Sequence, residues 1–416
     1  MTTPFDGKRI ILGVTGSIAA YKAAAVASTL TKAGALVDVI MTDAAMRFVT
    51  PLTFQALTGR GVYTSMWEPG HGGGLGEHIA HVGLGHHADL LLLAPATAHT
   101  MARLVHGLAD DLLSVTALAA RCPILVAPAM DAGMYEAAAT QANVATLKAR
   151  GVTFAGPTPG RMASGLEGLG RLLEPDEIVA HARALLGRGG SLAGRRVVVT
   201  AGPTREALDP VRFLSNRSSG RQGVAIAQAA LDAGADVTLI AGPIALPVPV
   251  GVEHIAVSSA EEMKRAVLAH AAGDPPADAL VMAAAVADYR PATRAERKIK
   301  KEQTALDALP LARTPDILAS VAQAEHRPAL VVGFAAETDD LIANARGKLA
   351  RKKLDMIVAN DVSAADAGFA VDTNRVHFIT ADGDQALPLM GKDEVAARLV
   401  AWLAAQLAAG SALTER

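Results

Sequence analysis

Apolar runs of five or six residues recur along the chain, separated by Ala-rich stretches whose apolar positions return every three or four residues. The first run, at 10–14, is closed by Gly16 and Ser17 and followed by a helical segment at 18–33 that Gly34 ends; the next run is 36–41. Further runs fall at 89–94 and 123–127, with helical periodicity at 97–107 and 111–120. Continuous apolar strands alternating with helices describe a parallel sheet covered on both faces. From residue 196 the pattern starts again, with strands near 196–200, 236–240, 279–284, 330–333 and 356–359. Helical stretches (AIAQAALDAG, AEEMKRAVLAHAA, NARGKLARKK) lie between them, and 393–409 reads as a closing amphipathic helix. Both halves are expected to be α/β, with ligands at the carboxyl ends of the strands.

The halves open alike: Lys8-Arg9 precede IILGVTGS, and Arg195-Arg196 precede VVVTAGPT. Between them Arg188, Gly189, Gly190, Ser191 and Gly194 read as a linker. The expected domains are 1–190 and 191–416, which suits a chain of 416 residues. Hydrophobic residues make up 51% and aromatics only 3%, so Ala, Val and Leu must pack the core, favouring helix-on-sheet layers. A formal charge of −2 argues against a nucleic-acid binder, which needs a basic field. The single cysteine, Cys122, rules out a disulfide framework and fits a reducing compartment. Lying before Pro123 at the start of a buried strand, it reads as a small core residue. The N-terminus lacks the apolar region of a signal peptide, and no apolar run approaches the ~20 residues of a spanning helix. The expectation is a soluble cytoplasmic protein.

The chemistry concentrates in residues 198–220, VVTAGPTREALDPVRFLSNRSSG. A strand-like run ends in a Gly202-Pro203 turn, and a basic loop leads to Ser218-Ser219-Gly220. Backbone N–H groups at Gly202 and Gly220, hydroxyls of Thr204, Ser215, Ser218 and Ser219, and the guanidinium groups of Arg205, Arg212 and Arg217 can face one bound phosphate chain. An ordinary surface loop explains the Gly-Pro turn alone; it does not explain so many anion donors in sequence. Asp288, in AAAVADYR, is an acceptor suited to a base or ribose, against the alternative of a plain surface carboxylate. RKIKK at 297–301 is by default a solvated charge run. Lys348 and Lys352, four apart, share one helix face.

TAGPTRE, LDPVR and SNRSSG together closely resemble the opening of the ligase half of the bifunctional phosphopantothenoylcysteine decarboxylase/phosphopantothenate–cysteine ligases of coenzyme A biosynthesis. VADYR, RKIKK, TPDIL (314–318) and VGFAAET (332–338) extend the likeness to about residue 390. The resemblance implies a CTP site with contacts at Gly202, Met282, Ala283, Ala284, Asp288, Lys298, Pro315, Asp316, Ile317, Leu318, Phe334, Lys348 and Lys352. It also places Asn216 near an activated acyl group, and Lys298 and Lys300 beside a triphosphate or acyl phosphate. The implied reaction joins 4′-phosphopantothenate to cysteine through an acyl-cytidylate, with Mg2+ carried on the phosphates.

GSIAAYK (16–22), MTDAA (41–45), APAT (94–97), GLADDLL (107–113) and APAMDAGMY (127–135) are similar to the homo-oligomeric flavin-containing cysteine decarboxylases. This likeness spans nearly all of 1–175. It implies two Rossmann-like three-layer domains, the first flavodoxin-like and the second a nucleotide-binding ligase. It further implies FMN, with Gly16, Ser17 and Thr42 on the phosphate side and Ala96 and Thr97 nearer the ring. His81, in HVGLGHHADL, stands at the family's catalytic histidine and would accept a proton as the substrate thiol is oxidised to a thioaldehyde. His71, His78, His86 and His87 crowd the same segment, but no cysteine joins them and the spacing lacks a zinc pattern.

Two positions depart from the family. Asp131 stands where the family's PxMN motif has asparagine; an ionised carboxylate there must be protonated, turned away or paired, for example with Arg161 or Arg171. Ser164 stands where relatives carry the cysteine that protonates the enethiol, and serine is a much weaker acid. The alternative reading is therefore an active ligase fused to a flavin-binding module with altered or lost decarboxylation. A regulatory subunit is a third reading, disfavoured because the C-terminus lacks the acidic tail of such relatives. The expected partners are small-molecule substrates and further copies of the chain, with trimeric contacts in the flavin half and dimeric contacts in the ligase half.

Overall fold

The computed structural model describes residues 3–67, 80–163, 165–300, 308–337, 340–361 and 371–414. It divides into two compact units, Met1–Leu186 and Gly187–Arg416. The division falls a few residues before the expected boundary because the Gly-rich stretch is packed rather than free. Leu192 N–H donates to Ala233 O at 2.7 Å, and a Cβ on Gly190 would lie 2.4 Å from that same oxygen.

In the first unit, β1 (Arg9–Val14), α1 (Ala20–Lys32) and β2 (Leu36–Met41) make the opening crossover. Then come α2 (Asp43–Met46), α3 (Pro51–Thr58), β3 (Val62–Tyr63), α4 (Ala80–His87), β4 (Leu90–Ala96), α5 (Ala98–His106) and α6 (Leu112–Ala119). The unit continues with β5 (Ile124–Pro128), α7 (Ala132–Glu136), α8 (Ala138–Ala149) and β6 (Thr153–Phe154). It closes with a hairpin, β7 (Thr158–Arg161) and β8 (Glu167–Arg171), and with α9 (Pro175–Gly187). Six parallel strands lie in the order β3-β2-β1-β4-β5-β6, and each face carries a core of Ile, Leu and Val side chains. The chain runs one way from β1 to β2 and β3 and the other way from β4 onward, so the crevice between β1 and β4 is the topological switch point.

The second unit repeats this logic. Its elements begin with β9 (Arg196–Ala201), a two-stranded arm of β10 (Arg205–Ala207) and β11 (Phe213–Ser215), α10 (Arg221–Asp232), β12 (Asp236–Ala241), β13 (Glu253–Ala256), α11 (Ala260–Ala271) and β14 (Ala279–Met282). A second arm, β15 (Tyr289–Pro291) with β16 (Leu311–Arg313), precedes α12 (Ile317–Ala322), β17 (Leu330–Glu337), α13 (Leu341–Lys352) and β18 (Met356–Asp361). Last come β19 (Thr373–Asn374), β20 (Val376–Ile379), β21 (Asp384–Ala386), β22 (Met390–Gly391) and α14 (Lys392–Thr414). The eight-stranded sheet has the order β13-β12-β9-β14-β17-β18-β20-β21, with its switch point between β9 and β14.

The expected strands and helices are present, and three differences have identifiable causes. β20 and β21 add an antiparallel edge to a sheet expected to be parallel. β7–β8 is built from TPGR and EGLGR, whose glycines give no apolar alternation to read. The strand expected at 279–284 stops at Met282, because the N–H of Ala284 turns from the ladder to the Thr200 hydroxyl at 3.1 Å. Among the described residues no helix is long and apolar enough to cross a membrane.

Candidate functional site

In the first unit the expected site residues gather at the carboxyl edge of the sheet. Gly16 and Ser17 follow β1, and Ala96 closes β4 with Thr97 next, so these four flank the switch point. Buried Thr15 ties the two strand ends together: its hydroxyl donates to Pro95 O at 2.7 Å and accepts from Thr97 N–H at 3.2 Å. α1 opens at Ala19 with no side-chain cap and no acidic residue in its first turn. Its helix-end N–H groups and positive dipole end therefore suit an anion. The Ser17 hydroxyl accepts from Ala19 N–H at 3.2 Å beside it. Thr42 and Thr97 cap α2 and α5, accepting from Ala45 and Thr100 N–H, each at 3.2 Å. Gly16 is required by packing: a Cβ there would come 2.4 Å from the Ala44 Cβ.

A helix between parallel strands runs antiparallel to them, so the first turn of α4 brings half-buried His81 to the same edge. His71 and His78 lie outside the described residues, as does Ser164. Asp131 caps α7, its carboxylate accepting from Gly133 N–H at 3.1 Å. The β7–β8 hairpin docks on this turn. Met130 N–H donates to Gly170 O at 3.0 Å, and a Cβ on Gly170 would meet Met130 O at 2.4 Å. Cys122 is partly buried, and burial pushes its thiol above the ordinary range, as expected of a packing residue.

In the second unit a cavity of about 760 Å³ opens at the switch point. One wall is the start of α10, another the turn after β14 from Met282 to Val286, and a third the segment Thr314–Leu318 with Phe334. Met282, Ala283, Ala284, Asp288, Pro315, Asp316, Ile317, Leu318, Phe334, Lys348 and Lys352 all line it, as does Asn216. The Asn216 amide nitrogen donates to Ala285 O at 3.2 Å and Val286 O at 3.1 Å, which clamps its loop against the β14 turn. Lys352 pairs with Asp316, whose other oxygen accepts from Ala319 N–H at 3.0 Å. Burial alone would raise the Asp316 carboxyl; the Lys352 hydrogen bond and the Ala319 amide outweigh it and hold the carboxyl below the ordinary range. Two buried amide oxygens on the cavity wall, Asn360 Oδ1 and Asn374 Oδ1, have no hydrogen-bond partner among the described residues. Orphaned buried acceptors of this kind suit the hydroxyl or N–H donors of a ligand.

The basic loop divides: Ser218, Ser219 and Gly220 line the cavity as expected, and the residues before Asn216 do not. Arg205 stacks on Phe213 in the β10–β11 arm, its guanidinium 4.6 Å from the ring centre. Arg212 is held by Asp209 at 3.1 Å. The Thr204 hydroxyl is fully buried and accepts from Ala287 N–H at 3.0 Å, and the Ser215 hydroxyl donates to Thr204 O at 2.8 Å. None of these side chains, nor Arg217, is among those lining the cavity. The reason is local: Arg205–Ser215 folds back on itself as a hairpin instead of continuing along the sheet edge. The cations that line the cavity are instead Arg221, Arg313, Lys348, Arg351, Lys352 and Lys392, of which the sequence marked only Lys348 and Lys352 as binding residues. The other four lie on four elements, α10, β16, α13 and α14, so no one motif reveals them together.

Gly202 and Lys298 also lie off the cavity wall. Gly202 supports it from beneath at a φ of 77°, with Gly220 packed against its backbone. Lys298 is exposed, on a loop held by buried Asp209. One Asp209 oxygen accepts from Val211 and Arg212 N–H at 2.8 Å each, and the other accepts from Ile299 N–H at 3.1 Å. Burial would raise this carboxyl, but the three amides and the Arg212 charge outweigh that and hold it below its ordinary range. Asp209, unremarked within LDPVR, is what joins the two basic motifs.

Residues 2–187 match the Flavoprotein family model, and residues 192–407 match the DNA/pantothenate metabolism flavoprotein C-terminal domain. The Coenzyme A biosynthesis bifunctional protein CoaBC of Vibrio cholerae is 48% identical over 396 residues, 95% of this chain and 97% of its own. Its namesake from Escherichia coli (strain K12) is 47% identical over 390 residues, 93% of this chain and 94% of its own. The crystal structure of the C-terminal domain of a CoaBC protein is 39% identical and covers 52% of this chain and 98% of that chain, with a TM-score of 0.44. With both family models matched in order and nearly the whole chain aligned, the chain belongs to the family of bifunctional coenzyme A biosynthesis proteins, a flavoprotein half followed by a pantothenate-metabolism half.

Proposed function

We propose that the second half joins 4′-phosphopantothenate to cysteine using CTP, and that the first half decarboxylates 4′-phosphopantothenoylcysteine to 4′-phosphopantetheine with FMN. The observation that carries this reading is the switch-point cavity, where cations from separate elements surround the backbone of Met282–Val286 and the clamped Asn216. Such a site suits a reaction governed by positioning and charge neutralisation. The phosphopantothenate carboxylate displaces pyrophosphate at the α-phosphate of CTP, and the cysteine amine then displaces CMP from the acyl-cytidylate. Asn216 lies beside the acyl carbon, Lys298 reaches the phosphates from its loop, and Lys348 and Lys352 offset their charge. Asp288 accepts from the base or ribose, while Met282 and Phe334 supply apolar walls. Mg2+ rides on the triphosphate through phosphate oxygens and water. Among the described residues no three His, Cys, Asp or Glu side chains converge to hold it.

The first half fits FMN through the uncapped start of α1, the cradle at Gly16 and the hydroxyls of Ser17, Thr42 and Thr97. When bound, FMN supplies two-electron redox chemistry to the substrate thiol. His81 takes the thiol proton, and Ala96 and Thr97 bound the ring side. Gly16→Val is expected to give colourless protein and to cost about 1–3 kcal/mol of stability through the clash with Ala44. Ser17→Ala is expected to weaken flavin binding with the fold intact. Absorbance near the flavin bands and thermal melts separate the two; stoichiometric flavin in both variants removes this loop from the site. Large exposed apolar side chains, including Ile18, Tyr21 and Leu52 on the first half and Tyr289 and Leu311 on the second, support self-association of each half. We assign trimeric contacts to the flavin half and dimeric contacts to the ligase half, in a cytoplasmic enzyme.

The test is a product assay by mass with phosphopantothenate, cysteine and either CTP or ATP. Phosphopantetheine and CMP are the expected products, and absence of any amide product overturns the reading. Accumulation of phosphopantothenoylcysteine selects the second reading, an active ligase on a flavin module without decarboxylation. That reading is favoured by two residues of the sequence, Asp131 and Ser164.

A further inference from the structure

The end of the cavity beside α10 is built from more than a helix terminus. α10 starts at Gly220, in the left-handed region at a φ of 79°, with no side-chain cap and no acidic residue in its first turn. Lys392, the first residue of α14, is only 7% exposed, yet its side chain forms part of the cavity wall. Its ammonium donates to Val371 O at 2.6 Å, and its backbone carbonyl accepts from the Gln222 amide at 3.0 Å, which ties the start of α14 to the start of α10. Arg221 lies on the same wall, paired with the exposed carboxylate of Asp372.

Burial pushes the Lys392 ammonium below the ordinary lysine range; the Arg221 charge pushes it the same way, and Asp372 opposes both. Arg221 and Lys392 both line the cavity beside the uncapped, positive end of α10, a setting that suits phosphate oxygens.

We propose that Lys392 and Arg221 bind the terminal phosphates of the nucleoside triphosphate, so that the C-terminal helix supplies a binding residue to the ligase site. This rests on the ligase reading above. It gives α14, which the sequence presents only as a closing amphipathic helix, a direct part in substrate binding. It also separates two phosphate-facing groups: Lys348 and Lys352 on α13, and Lys392 with Arg221 across the cavity.

The experiment is calorimetric binding of CTP, CMP and 4′-phosphopantothenate to the full chain and to Lys392→Met, Lys392→Arg and Arg221→Gln, with thermal melts alongside. Lys392→Met and Arg221→Gln are expected to weaken CTP about 10- to 100-fold and leave CMP unchanged, since a charge-assisted contact to the outer phosphates is lost. Lys392→Arg is expected to recover part of the loss. Equal weakening of CTP and CMP by Lys392→Met would mean that the lysine only packs α14, and would overturn the proposal. Arg221 is partly exposed, so its variant keeps the test alive if Lys392→Met does not fold; full CTP affinity in Arg221→Gln overturns the shared phosphate site. Weakened phosphopantothenate binding with CTP intact assigns these cations to the other substrate's phosphate and overturns the nucleotide assignment. Wild-type protein that binds no CTP removes the ligase reading itself, and this proposal with it.

Discussion

Replacing Lys298 by Gln is expected to lower amide formation by about 10²–10³-fold while leaving the second half folded. The side chain is exposed and outside the packed core, so its loss costs stability within about 0.5 kcal/mol. It also lies off the cavity wall, on a loop fixed by Asp209 at Ile299. On the ligase reading proposed above, the bound phosphates draw this ammonium in, and its charge counts most as negative charge develops at the α-phosphate. The loss is therefore expected in kcat more than in CTP affinity. Asp209→Ala provides the contrast, because it frees the loop and leaves three backbone N–H groups without their acceptor. That variant is expected to lose both activity and melting temperature. Steady-state kinetics of pyrophosphate release and amide formation, with melts of both variants, check this; a normal kcat in Lys298→Gln sinks the role.

The second large effect concerns Asp131. If this carboxyl is the acid that replaces the family's cysteine, Asp131→Asn will slow formation of saturated phosphopantetheine at least about tenfold, a modest part of what general acid catalysis contributes. The fold makes the test clean. Asp131 caps α7 by accepting from Gly133 N–H, and asparagine caps a helix as well as aspartate does. The substitution therefore changes the chemistry of the group without removing the cap. Turnover of phosphopantothenoylcysteine is to be followed by mass in wild type, Asp131→Asn and Ser164→Cys. Wild-type rates in Asp131→Asn, with no enethiol build-up, show that the proton comes from elsewhere. A faster rate in Ser164→Cys with Asp131 intact locates the deficit at position 164.

The alternation of apolar strands and Ala-rich helices was enough to predict two α/β units, because parallel strands buried on both faces must be continuously apolar and their helices must show one apolar stripe. Short motifs singled out Asn216, Asp288, Lys348 and Lys352, all of which line the cavity, since each motif is contiguous and sits on one turn or one helix face. The β7–β8 hairpin and the antiparallel β20–β21 edge escaped. Glycines and mixed polar residues hold them in place through contacts with distant backbone, such as Gly170 on Met130, rather than through any period of their own.

By itself, then, the sequence determined the layers, the succession of strands and helices and the turns that follow the strand ends, all of which depend on neighbours within a few residues. Only the tertiary structure decided which charges share the cavity. It turned Arg205 and Arg212 away into a hairpin arm and a buried carboxylate, and it brought in Arg221 from α10, Arg313 from β16 and Lys392 from α14. Chain distance carries no information about such convergence. It follows from β9, β14, β17 and β18 ending at one edge of one sheet, where loops and helices far apart in sequence are folded over the same crevice.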